Sequence, residues 1–85
     1  MVKLGDTVKV NNLLHKLHGL EGKIIEIDEK RYHKTYGVCN RIRYYKVSFT
    51  GKENCLAAGF SVKWTEKFKD IGFTCTFEEE HIEII

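Results

Sequence analysis

The sequence predicts a small, mainly β domain whose short antiparallel strands curl into a closed or half-closed barrel. Three observations lead there. Several segments alternate apolar and polar residues with a period of two. Glycines punctuate those segments at turn spacing. The chain has 85 residues, 42% of them hydrophobic and 12% aromatic, which suits one globular domain over residues 1–85 with a modest core.

The elements follow in order. Gly5-Asp6 opens a first strand in which Val8 and Val10 alternate with Thr7 and Lys9, and Asn11 and Asn12 end it. Residues 13–20 mix Leu13, Leu14, Leu17 and Leu20 with His15, Lys16 and His18. That stretch is short for a helix and ends in glycines, so it reads as a loop whose leucines pack down on the core. Residues 22–28, Gly-Lys-Ile-Ile-Glu-Ile-Asp, are the clearest strand, β-branched and closed by acids. A long polar connection follows over residues 29–40, and residues 43–49 form a third strand closed by Gly51. Residues 60–64 alternate and predict a fourth. Trp64, Phe68 and Ile71 sit at i, i+4 and i+7 before Gly72, so one short helix or a hairpin loop about residues 67–70 fits there. Residues 73–77 alternate with their large side chains on one face, residues 78–81 form a tight turn, and residues 82–85 form a last short strand. Val8, Val10, Ile24, Ile27, Val47, Phe49, Ile82 and Ile84 are the expected core. With no proline in the chain, lysines are left to guard the sheet edges.

Two segments carry the resemblance to a known family. Leu4-Gly5-Asp6-Thr7-Val8-Lys9-Val10 runs from a Gly-Asp turn into a strand, and His18-Gly19-Leu20-Glu21-Gly22-Lys23-Ile24-Ile25-Glu26-Ile27-Asp28 follows about ten residues later. Together they resemble the start of a KOW-type, Src-homology-3 (SH3)-like small β-barrel. Tyr45-Lys46-Val47-Ser48-Phe49 resembles its third strand, and residues 77–85 resemble its closing one-turn helix and last strand. The resemblance implies a small antiparallel barrel, from which this chain departs by a loop between its second and third strands, over residues 29–40, longer than the family's usual hairpin, and by a longer stretch over residues 51–71. It also implies association with nucleic acid or ribonucleoprotein, because such barrels are common in ribosomal and transcription-associated proteins.

Charge is polarised along the chain although the net charge is only +2. Residues 30–46 contain Lys30, Arg31, Lys34, Arg41, Arg43 and Lys46 and no acid, whereas residues 77–85 contain Glu78, Glu79, Glu80 and Glu83 and no lysine or arginine. Cations neutralise phosphates and aromatic faces stack on unpaired bases, so the basic stretch with Tyr32, Tyr36, Tyr44 and Tyr45 is the candidate interface. Its expected contact residues are Lys30, Arg31, Lys34, Arg41, Arg43, Tyr44 and Lys46. Alternation places Tyr45 with Val47 as a structural residue and turns Tyr44 and Lys46 outward. The partner is nucleic acid or a protein. In the second reading the chain is a small interaction or inhibitor module of the kind encoded by phages and other mobile elements, which binds a host protein.

Other chemistry is not expected. His15 and His18 are the one short-spaced pair of metal-ligand type, and Cys39, Cys55 and Cys75 are widely spaced, so neither zinc nor a disulfide framework is foreseen. No cysteine has a base placed beside it, consecutive glutamates at 78–80 point in different directions, and no phosphate-binding loop is present. The expectation is a non-enzymatic binding module without a cofactor, small-molecule substrate or membrane span, residing in the cytoplasm.

Overall fold

The structure is a computed structural model that describes residues 2–33 and 39–85, with side chains described for 2–29 and 42–85. Strand β1 (Thr7–Val10) forms because Val8 and Val10 share one pleat face; both are fully buried while Thr7 and Lys9 face solvent. Both edges of β1 are used. Strand β2 (Glu21–His33) pairs along one and β5 (Ile82–Ile84) along the other, both antiparallel. Strand β3 (Cys39–Phe49) pairs with β2, and β4 (Phe73–Glu78) pairs with β3. The result is a five-stranded antiparallel sheet in the order β4-β3-β2-β1-β5.

The sheet is open, which corrects the expected barrel. β5 has three residues and matches only β1, leaving too little strand to reach round to β4. The expectation that lysines guard the edges also fails. β4 and β5 contain none, and the outermost strand β5 relies on its shortness and on Glu83.

A bulge at Ile25 explains the Ile-Ile-Glu-Ile run of β2. Ile24 pairs with Val47 and Glu26 pairs with Lys46, so Ile25 is the extra residue and is half exposed. The slip sends Glu26 outward and brings Ile27 opposite Tyr45. Gly22 permits the close approach of β2 to β3 at this end. A Cβ built there would lie 2.6 Å from both the Ser48 carbonyl oxygen and Val47 Cγ1.

The core gathers Val8, Val10, Ile24, Tyr45, Val47, Phe49, Phe77 and Ile82, with Leu17 and Val2 closing over it. Phe49 stacks on Phe73 at 5.2 Å and meets Phe77 edge-on at 6.3 Å. Two expected core residues are only partly covered. Ile27, midway along β2 and beyond the residues paired with β1, is 36% exposed, and Ile84 on the edge strand is 50% exposed. In the loop over 11–20, Leu17 and Leu20 pack down as expected, but Leu13 and Leu14 are exposed.

Between β3 and β4 the chain is helical, not a strand. Helix α1 (Lys52–Ala57) starts after Gly51 and buries Cys55. Helix α2 (Val62–Phe68) is capped by Ser61, whose Oγ accepts the Trp64 N–H at 3.3 Å. The alternation of residues 60–64 is therefore replaced by a helical spacing of four, Phe60-Trp64-Phe68, with Phe60 edge-on to Phe68 at 6.1 Å. The chain turns out of α2 through Gly72 at φ 76°, where a Cβ would collide with the Phe49 carbonyl. Residues 79–81 form the expected single turn, a 3-10 helix (Glu79–His81) leading into β5.

Candidate nucleic-acid interface

The expected polar connection over residues 29–40 is mostly strand. β2 continues to His33 and β3 starts at Cys39, so only residues 34–38 join them, and these lie outside the described residues together with the candidate Lys34. Cross-strand hydrogen bonding satisfies polar backbone that no apolar face organises, which is why composition alone reads as loop. β1 pairs with β2 only at 21–23, and β4 pairs with β3 only at 44–49. Beyond Asp28 and Tyr44, β2 and β3 have only each other among the described residues, and they run on as a two-stranded ribbon.

The ribbon register brings the candidates together by position. Arg31 is the partner of Arg41, Lys30 of Ile42, and Glu29 of Arg43. Four of the expected contact positions, Lys30, Arg31, Arg41 and Arg43, thus fall within one short stretch of ribbon that includes one acid, Glu29. Arg43 is exposed.

Tyr44 and Lys46 belong to a different environment. As expected they lie on the face opposite Tyr45, which is fully buried and donates its hydroxyl to Glu79 Oε2 at 3.3 Å. Their face is the outer face of the sheet body, where Lys46 pairs in register with Glu26 and Thr76, and Tyr44 with Asp28 and Glu78. Lys46 Nζ is 3.2 Å from Glu26 Oε2. Glu26, Asp28, Tyr44, Lys46 and Thr76 line a shallow concavity of ≈ 420 Å³. The basic segment contains no acid in sequence, yet strand pairing sets Glu26, Asp28 and Glu78 around this part of it. An acidic surround of this kind disfavours phosphate.

The remaining candidates have local roles. His18 Nδ1 accepts the Asn12 N–H and His15 Nδ1 accepts the Leu17 N–H, each at 3.1 Å, so both imidazoles fasten the turn between β1 and β2. The His15 ring also packs on Phe77 at 5.1 Å. Cys55 and Cys75 are free thiols, Cys55 fully buried. Among the described residues no helix is long and apolar enough to cross a membrane.

Sequence reasoning missed one surface. Trp64 is 52% exposed on α2, beside Lys63 and Lys67. The Phe60-Trp64-Phe68 spacing, read as a helical stripe after the Ser61 cap, is the signal that locates it. Compared with protein-family models, curated proteins and solved structures, the chain matches none.

Proposed function

We propose that this domain is an SH3-like, KOW-related module that binds nucleic acid through its β2–β3 ribbon. The observation behind this reading is the ribbon register, which collects Lys30, Arg31, Arg41 and Arg43 against a single acid. Like charges directly opposite each other, as at positions 31 and 41, are unfavourable in an isolated ribbon, and an anionic partner relieves them. A two-stranded ribbon is of a size to enter a DNA major groove roughly 12 Å wide. The strand order, and the 3-10 turn that leads into a last strand paired back to the first, support the family reading. The helices α1 and α2 and the open sheet are departures from it.

The contact is electrostatic first and aromatic second. Arginines meet backbone phosphates and Tyr44 flanks the base of the ribbon. Binding of labelled single-stranded and duplex oligonucleotides, followed by fluorescence anisotropy, tests the reading. Affinity that falls with salt and with loss of Arg41 is expected, and equal binding by wild type and Arg41→Glu would remove the ribbon from the account.

A further inference from the structure

Helix α2 leaves part of its apolar surface uncovered. A surface helix turns its apolar stripe inward and its polar residues out. Here the one fully buried residue is Thr65, whose Oγ1 has no hydrogen-bond partner, while Val62 at 69% and Trp64 at 52% stay exposed. An exposed apolar cluster of this kind marks a contact surface. Trp64 and Phe68 stack at 5.4 Å with their planes 19° apart. Together with Gly59, Phe60 and Ser61 they line an open groove of ≈ 450 Å³.

The rim of the groove is cationic. Lys63 and Lys67 share with Trp64 an adjoining concavity of ≈ 250 Å³, and Lys67 Nζ lies 5.1 Å from the Trp64 ring centroid. Glu66, the acid of α2, is engaged by Lys69 at 3.2 Å and Lys52 at 3.9 Å. Among the described residues neither Lys63 nor Lys67 has a carboxylate partner.

We propose that this groove docks an acidic segment of another protein through an aromatic or large aliphatic anchor. The anchor lies against Phe60, Trp64 and Phe68, and carboxylates flanking it meet Lys63 and Lys67. Two observations favour a protein segment over nucleic acid. The floor is mostly apolar, with Ser61 Oγ already accepting the α2 cap bond and the Trp64 indole N–H as its other polar side-chain group, so it suits an apolar anchor better than the polar edge of a base. The groove also follows the Phe49 end of β3, whereas the basic ribbon is the Cys39 end of the same strand. The two surfaces are separate, and this one does not depend on the nucleic-acid reading.

Trp64 is the chain's only tryptophan, so its emission reports the groove directly. The test selects a random-peptide display library on the intact protein, with counter-selection on Trp64→Ala. A synthetic copy of the enriched peptide is then titrated against Trp64 fluorescence. Acidic peptides with a bulky apolar residue should be enriched and should shift the emission to the blue. The Lys63→Glu/Lys67→Glu variant should bind at least about tenfold more weakly, a loss of roughly 1.4 kcal/mol. Both lysines are exposed, so an unchanged thermal transition separates this loss from misfolding. No enrichment, neutral or basic peptides, or equal binding by the charge-reversed variant would overturn the proposal. A blue shift that grows with protein concentration alone would assign the groove to a second copy and overturn it. Quenching by oligothymidine in competition with the peptide would assign it to nucleic acid, with the same consequence.

Discussion

Gly22 has no room for a side chain: the Ser48 carbonyl and Val47 Cγ1 stand 2.6 Å from where a Cβ would be, and backbone does not yield cheaply. Gly22→Ala is expected to destabilise the domain by about 1–3 kcal/mol in a urea titration, the usual cost of overpacking. Tyr45 is wholly buried with its hydroxyl on Glu79, so Tyr45→Phe should cost about 1 kcal/mol, the net worth of one hydrogen bond. The Lys46–Glu26 ion pair is of another kind. Its side chains are 41% and 59% exposed, and Glu26→Gln should change stability by less than about 1 kcal/mol. At this scale the sequence was readable wherever alternation was undisturbed. Val8, Val10, Val47 and Phe49 are buried as their period requires, and Tyr45 sits inward with Tyr44 on the other face. It was unreadable at Ile25, because a bulge changes the phase of a strand without changing its composition.

The ribbon and the helical pair are the elements that alternation alone could not describe. Residues 29–33 and 39–43 look like polar loop, because a two-stranded ribbon clear of the sheet body has no buried face to impose a pattern. Residues 60–64 alternate for too short a distance to separate a strand from a helix, and the Ser61 cap together with Phe60-Trp64-Phe68 decides for the helix. α1 has six residues and one buried side chain, too little for any period to show. The candidate site was legible as a charge run but not as a geometry. Pairing puts Lys46 against Glu26 and leaves Arg41 on the ribbon, so the two cations should not contribute equally. Arg41→Ala is expected to weaken oligonucleotide binding more than Lys46→Ala does. Lys46→Ala should change stability by less than about 1 kcal/mol, since its ion pair with Glu26 is largely open to solvent. A larger loss from Lys46→Ala, measured by anisotropy, would return the contact to the outer sheet face.

The whole molecule is elongated, with principal extents of 51 × 23 × 21 Å. Its radius of gyration is 14.8 Å. A compact chain of this length would give about 12 Å. The ribbon of β2 and β3 accounts for the difference by running past the three strands that pack beside it, and small-angle scattering should find the larger value. An extended basic ribbon on a body of near-neutral net charge localises the positive field at one end, which favours a confined contact over general adhesion to polyanions. The most direct test is the salt dependence of oligonucleotide affinity, measured by anisotropy for wild type and for Arg41→Glu/Arg43→Glu. If the four ribbon cations meet phosphates, log K against log salt should fall with a slope of about −3 to −4 for wild type. The charge-reversed variant should be shallower by about two units and bind more weakly at every salt concentration. Absence of binding at low salt, or a slope that the double reversal leaves unchanged, would contradict the assignment of the ribbon as the nucleic-acid interface.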